Sequence, residues 1–447
     1  MHSILQAAGP GTDQPEPIDI RFDGSSGRMI GLGFINGVLK ILTLGLYSFW
    51  AKTEVRRRIW AATRLNGEPV AYTGTGKELL LGFLIVFGVV VIPVMLSGVA
   101  VSLLFAGSKE ALGLYQGVLY IAFFLLVGNA IYRAQRYRLS RTEWRGIRGG
   151  LDGSPGRYGW MYFWTLAAPF TAAAVLAGIV AWATAPAVGG AIMLLGMLGM
   201  LWVLPWRANK LQAAITNDMR FGDRPLTYSG TAGPLYKRYL FAWGGNALIF
   251  AAALGATGAY LMQEDRYINW FVLKIPPALV ELAPLAAIWV LTLIASAVVT
   301  SWYRAMQMNH FAGHTHFEGA TFRGEATGRS LMWLVLSNWL LSIGGLLAAL
   351  AIGGTLIFAF GTAPREVIDE VAAPDRAAGL LNLLLIMPPI IIMTTLTATF
   401  AQFRSARYFL SRLKLDGPVA LGAILQGAHK RPARGEGLAQ VFDIDAF

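Results

Sequence analysis

LLLGFLIVFGVVVIPVMLSGVAVSLLFA, residues 79–106, runs for 28 positions without one charged side chain. A helix crosses the hydrocarbon of a bilayer with about 20 apolar residues. This stretch therefore spans with length to spare, taken up by tilt or by a kink near Pro93. Directly before it, residues 52–77 carry six Lys and Arg, three of them consecutive at Arg56, Arg57 and Arg58. That order, a basic cluster and then an apolar run, recurs down the chain and decides its class.

Seven further apolar runs occupy residues 111–131, 158–184, 187–205, 239–262, 275–300, 331–360 and 379–400, with more kinks expected at Pro169 and Pro388. The basic clusters at 52–77, 133–157, 207–238, 304–329 and 404–434 hold 29 of the 37 Lys and Arg. The connections on the opposite side carry Lys109, Arg266, Lys274, Arg365 and Arg376 among acids such as Glu264, Asp265, Glu366 and Asp375. By the positive-inside rule, the basic loops and the C-terminus are expected in the cytoplasm. The whole reads as an all-α polytopic membrane protein with about eight full transmembrane helices.

Composition agrees. Of 447 residues, 55% are apolar and 14% charged, and the mean hydropathy is +0.53, too little polar surface for a soluble fold. A net charge of +12 on a soluble chain would suggest nucleic acid, but here the charge flanks apolar spans. It is read as orientation and as contact with the headgroups of the phospholipid bilayer, anionic ones above all, with no nucleic-acid partner. There is no cysteine, which removes disulfides and thiol chemistry. Residues 1–20 are polar and acidic, without the basic and apolar regions of a cleavable signal peptide.

The chain also repeats itself. Setting each residue against the one 156 positions later aligns Trp50 with Trp206, Arg64 with Arg220, Pro69 with Pro225, Tyr72 with Tyr228 and Gly74 with Gly230, without a gap. Looser copies place Tyr132-Arg133-Ala134 beside Tyr303-Arg304-Ala305, and Lys414-Leu415-Asp416-Gly417 beside Arg64-Leu65-Asn66-Gly67. Each unit is a span, a basic helix continuing out of it, and a small hairpin that leads to the next span. Asn66-Gly67, Gly222-Asp223, Glu318-Gly319 and Asp416-Gly417 are the predicted turns. Residues 141–156 have no comparable turn dipeptide and are crowded with Gly149, Gly150, Gly153 and Gly156, so that hairpin is expected to be degenerate or open. An aromatic-x-Gly triplet follows the turns, as in Tyr72-Thr73-Gly74, and Phe22-Asp23-Gly24 marks a remnant copy in the N-terminal arm. If that arm is cytoplasmic like Arg56, the intervening run at 29–50 re-enters rather than crossing; otherwise it is a ninth helix. The expected organisation is an arm at 1–28, a repeat-built transmembrane domain at 29–422 and a cytoplasmic tail at 423–447.

The stretch TLGLYSFWA at 43–51, followed by Arg56-Arg57-Arg58, by Thr63-Arg64-Leu65-Asn66-Gly67 and by Tyr72-Thr73-Gly74, resembles the signature of the YjgN family, bacterial inner-membrane proteins carried as a domain of unknown function. Thr142 to Arg148 resembles a second segment of that family, and the similarity covers about residues 22–422. It departs at Ser48-Phe49, where such proteins often have a proline, and in the His-rich fourth copy. The resemblance implies a polytopic protein of the bacterial inner membrane. It supplies no reaction, ligand or catalytic residue.

Ionisable groups inside a bilayer are costly and usually functional. Only Lys40 and Glu281 fall within apolar runs, so a carboxylate proton relay is disfavoured. Asn36, Asn246 and Asn338 are candidates for interhelical hydrogen bonds or for a polar pathway. Arg56, Arg57, Arg58, Arg133, Arg136, Arg207, Arg304, Arg404 and Arg407 sit at span ends among aromatics, where they either anchor topology or converge on a phosphate-bearing lipid or solute. His310, His314, His316 and Glu318 form a weak metal candidate. No nucleotide-binding, zincin or nucleophile-elbow motif is present, so neither cofactor nor enzyme activity is expected. The expected role is a permease-like module for a lipid or small solute. The alternative is a scaffold whose basic face binds anionic lipid or a protein.

Overall fold

A computed structural model describes residues 15–263, 279–361, 376–427 and 432. The acidic connections at 264–278 and 362–375, the start of the arm and nearly all the tail, with its Lys430, Arg431 and Arg434, lie outside the described residues.

Two short helices, α1 (Ser26–Leu42) and α2 (Ser48–Ala62), precede the spans. The first span is α3 (Gly76–Val86) and α4 (Ile92–Leu104), joined by one π-helical turn at Phe87–Val91. Then come α5 (Lys109–Ser140), α6 (Pro155–Ala183), α7 (Pro186–Asp218), α8 (Gly233–Met262), α9 (Leu279–Gly313), α10 (Gly328–Phe360) and α11 (Arg376–Leu410). Among the described residues eight helices, α3 and α4 counting as one, are thus long and apolar enough to cross a membrane. Thr75, Ser108, Ser154 and Thr327 cap α3, α5, α6 and α10 by accepting a backbone N–H of the first turn. The π turn immediately precedes Pro93, and Ile92 N–H donates to Phe87 O, which absorbs the register change that the proline ring imposes. Pro169, Pro388 and Pro389 instead lie within helices that run on past them.

Among the described residues thirteen short strands join these helices: β1 (Glu16–Pro17), β2 (Ile20–Phe22), β3 (Thr63–Leu65), β4 (Glu68–Pro69), β5 (Ala71–Tyr72), β6 (Thr142–Trp144), β7 (Ile147–Leu151), β8 (Met219–Phe221), β9 (Arg224–Tyr228), β10 (Thr315–Phe317), β11 (Ala320–Gly324), β12 (Leu413–Asp416) and β13 (Pro418–Val419). β5 to β12 form one antiparallel sheet in chain order. β4 continues through Val70 into β5 and pairs with β3, and β3 pairs with β2. At the far edge β12 leads through Gly417 to β13, which pairs with β1 at the start of the arm. The strands therefore follow a cyclic order to which every repeat contributes.

Strand alternation gives this ring two faces. Leu226, Phe317, Phe322 and Leu415 point one way and meet Ile18, Ile20, Ile147 and Phe221 around buried Ala320, Val419 and Ile424. In a flat sheet Ile147 and Leu415, five strands apart, would be separated by about 24 Å, so the sheet curls round its apolar face. The opposite face is charged and paired, as in Arg323–Asp416 at 3.0 Å and Lys414–Glu325 at 2.7 Å.

The hairpin expected to be degenerate or open is a regular, closed one. β6 and β7 pair across Arg145-Gly146, with φ of 51° and 77°, the same left-handed pair as Asn66-Gly67 and Glu318-Gly319. Arginine is an uncommon residue for the left-handed first position of such a turn, which hid it in the sequence. The crowded glycines serve close packing instead: a Cβ on Gly149 would lie 3.1 Å from Leu139 O of α5, and one on Gly153 would collide with Asp218 and Tyr132. Asp416-Gly417 also differs from expectation, because β12 and β13 pair with other strands rather than with each other. The triplet glycine is fixed by its neighbour: a Cβ on Gly74 would stand 2.7 Å from the Tyr72 ring.

The turns yield a test. A Cβ on Gly67, Gly146 or Gly319 would meet nothing within 4 Å, so the whole penalty of Gly→Ala there is the left-handed backbone, about 1–2 kcal/mol each. We expect each variant to lower the unfolding midpoint in detergent. Gly113→Ala, in the equally open interior of helix α5, is expected to match or exceed wild type.

The helices repeat the cyclic order of the strands. α5 to α11 pack each on the next, α2 packs on α3, and α1 closes the circuit on α11. The wall is thin, for only 6% to 17% of each span's apolar window is buried. In α5, Leu114, Val118 and Ile121 line one side and Tyr120 and Phe123 the other, and all are exposed. Residues 26–62 leave the β-ring after Phe22 and rejoin it at Thr63, its partner in the β2–β3 pairing. The α1–α2 unit is therefore a helical hairpin with both ends on one side, and its tip exposes Leu42, Leu44 and Leu46.

Candidate functional site

The arginine triplet lies on α2, which packs against α1, α3 and α11 just before the chain enters β3. Val55 and Ile59 bury themselves with Met29 and Leu32 of α1 and Phe403 and Ala406 of α11. At 3.6 residues per turn this holds Arg56 on one side of α2 and Arg57 and Arg58 on another.

Arg56 is buried and donates to Tyr72 Oη at 3.4 Å. With Lys52, Arg138 and Gln402 it lines a cavity of about 20 Å³, space for a single water and too small for a phosphate. Arg57 and Arg58 open instead onto a cleft of about 320 Å³, completed by Arg28 of α1, Arg64 of β3 and the acids Asp23 and Glu54. Glu54 pairs with Arg57 at 2.6 Å and Asp23 with Arg64 at 3.4 Å. Among the described residues nothing neutralises Arg28 or Arg58. Ser25, at the N-cap of α1, borders the same cleft with its side chain making no cap bond, and no acid occupies the first turn of α1. The free N–H groups and positive end of that helix add to the field.

The other predicted arginines stay at their own helix ends. Arg136 is structural, donating to Leu151 O at 3.0 Å and to Gly153 O. Arg207 lies 4.2 Å over the Tyr162 ring, Arg304 donates to Gln307 at 3.3 Å and Arg404 to Ser337 at 2.6 Å. Arg133 and Arg407 are exposed. Convergence is thus local to α1 and α2, and it recruits Arg28 and Arg64. Their signal in the sequence was weak, since Arg28 shares the arm only with Arg21 and Arg64 looked like one more cation in a basic stretch.

The asparagines divide. Asn246 joins α8 to α9, accepting from Ser296 at 2.6 Å and donating to Thr300 at 3.4 Å. Asn338 reaches Ser405 of α11 at 3.5 Å. Asn36 is fully buried, and neither amide atom has a partner. The histidines are tied to protein atoms: His310 to Thr231 O at 2.9 Å, His314 to His310 O at 2.7 Å, and both nitrogens of His316 to the hydroxyls of Ser229 and Thr321. Glu318 faces Arg224 at 3.8 Å. Among the described residues no three His, Asp or Glu come together as metal ligands.

Comparison with known proteins places the chain. An inner membrane protein, YjgN, of Salmonella typhimurium is 28% identical over 186 residues, which is 41% of this chain and 43% of that protein. The alignment thus spans less than half of the relative's length. No solved structure gives a significant match. The family profile described as bacterial protein of unknown function, DUF898, matches residues 17–441, nearly the full length. The resemblance to the YjgN family is borne out, and the chain belongs to this DUF898 family of bacterial membrane proteins.

Proposed function

We propose that the chain is a permease-like module of the inner membrane that moves or presents an anionic lipid, with the β-ring in the cytoplasm and the α1–α2 hairpin dipping into the bilayer from that side. The observation that carries this reading is the cyclic packing order of helices, one layer thick, that leave most of their apolar surface uncovered. Such a wall has two faces, and only one can meet the surrounding bilayer. In α5 both sides are apolar, so the side turned away from the bilayer suits acyl chains and repels hydrated ions. Asn246 and Asn338, the polar groups best placed to line an aqueous route, are engaged between helices. Leu44 at the hairpin tip is 95% exposed, a poor choice for water and a good one for hydrocarbon.

Reconstitution tests it. Vesicles containing the protein and a trace of fluorescent phosphatidylglycerol are treated with a membrane-impermeant quencher. The expected result is loss of well over half the signal, because inner-leaflet lipid is brought out. A plateau at the level of protein-free vesicles would overturn the transport reading and leave the scaffold.

A further inference from the structure

We infer that the cleft bounded by Arg28, Arg57, Arg58 and Arg64 is the headgroup site for one phosphate-bearing lipid, an inference that rests on the lipid-handling reading and names its ligand class. The charge balance is built for a bound anion. Two of the four guanidinium groups are held by Glu54 and Asp23, which fixes their positions, while Arg28 and Arg58 face the cleft with nothing to neutralise them among the described residues. Guanidinium groups prefer bidentate, charge-assisted bonds to phosphate oxygens. The volume, about 320 Å³, admits a phosphate and a small polar head, whereas the cavity beside Arg56 admits neither.

The surface leading away from the cleft selects a lipid over a free phosphate. Ile35 is exposed on α1 two turns on from Arg28 and so on the same side, and exposed Leu42, seven residues further, carries that line to the leucine tip of the hairpin. From Arg28 to Ile35 is seven residues, about 10 Å along the axis, the step from a headgroup to the upper acyl chain. Charge and apolar stripe together describe an amphiphile lying along the hairpin. Arg28 and Arg58 are the direct contacts, and Arg57 and Arg64 position the group.

The test measures bound lipid by native mass spectrometry on delipidated protein in mild detergent, titrated with phosphatidylglycerol, phosphatidylcholine or glycerol 3-phosphate. Wild type is expected to retain phosphatidylglycerol in preference to phosphatidylcholine. Arg28→Gln with Arg58→Gln is expected to reduce that retention at least tenfold, while Arg304→Gln, at the end of α9, leaves it unchanged. Both positions in the double variant are exposed, and an unaltered unfolding midpoint confirms that it folds. Equal retention by the double variant would overturn the site. Glycerol 3-phosphate displacing the lipid at equal concentration would overturn the lipid assignment in favour of a soluble phosphate. Binding fails separately from transport: retention without flux sinks the permease reading and keeps the cleft, and flux with unaltered retention in the double variant does the reverse.

Discussion

Glu78→Leu should destabilise the protein by about 3–5 kcal/mol, the cost of stranding a buried cation. Arg141, at the end of α5, is 2% exposed and closes a two-pronged bond on Glu78, Nε to Oε2 at 3.1 Å and Nη2 to Oε1 at 2.7 Å. Tyr137 donates to the same carboxylate at 2.6 Å. Glu78 stands in the first turn of α3, three residues after its Thr75 cap, so the pair locks the start of one span to the end of the next. Removing the carboxylate leaves the guanidinium with the Pro432 carbonyl, 3.1 Å away, and its Nη1, already unbonded. The exposed pair Arg145–Glu68, at 2.9 Å, is the control. Arg145 holds the Glu68 carboxyl below the usual range, yet both side chains are well exposed, and Glu68→Ala is expected to change stability by less than about 1 kcal/mol. Unfolding in mixed micelles reads both. Equal, small losses would show that the clamp is not what joins α3 to α5. Replacing both Glu78 and Arg141 by Leu should recover part of the loss, because no charge is then buried alone.

The sequence carried the spans clearly because the cost of placing polar groups in hydrocarbon leaves long, unambiguous apolar runs. The turns were legible where Asn66-Gly67 or Glu318-Gly319 stood between short apolar stretches, and hidden where the same left-handed pair was written Arg145-Gly146. Closure of the ring was not legible at all. β1 and β13 are two residues each, too short for any periodicity, and they come from opposite ends of the chain. Arginine roles were ambiguous for a similar reason. Arg56, Arg57 and Arg58 are adjacent in sequence, but helical rotation sends one into the protein and two to the cleft, and only tertiary packing says which.

That packing also explains how a chain of hairpins becomes one object. Each span pair could stand alone in a bilayer, where helices gain little from apolar contact with one another. Pairing every hairpin with its neighbours at the β-ring fixes the order and spacing of the spans with backbone hydrogen bonds, which a thin helical wall could not do for itself. The site then falls where the ring is joined, between the first helices and the last, the one place where α1, α2 and α11 share a core.

Gly37→Leu should open that joint. In Gly33-Phe34-Ile35-Asn36-Gly37 the two glycines face α11 so closely that an added Cβ would lie 2.9 Å from Leu396 Cα and 2.8 Å from Ile392 Cα. Backbone atoms cannot swing aside as a side chain can, so the helices must separate, at a cost of about 3 kcal/mol or more. Separation would expose Asn36, now fully buried between the glycines. Because the chain has no cysteine, Asn36→Cys is a clean reporter. It should resist maleimide in the otherwise native protein and react in the Gly37→Leu background, while a cysteine at exposed Ser25 reacts in both. If position 36 stayed protected beside the leucine, α1 would not be held by backbone approach, and closure of the helical ring through α1 and α11 would have to rest on the β1–β13 and β2–β3 pairings alone. If it reacts, the same variant should also lose preferential retention of anionic lipid, since Arg28 and Arg58 are kept on one cleft only while α1 and α2 share their core with Phe403.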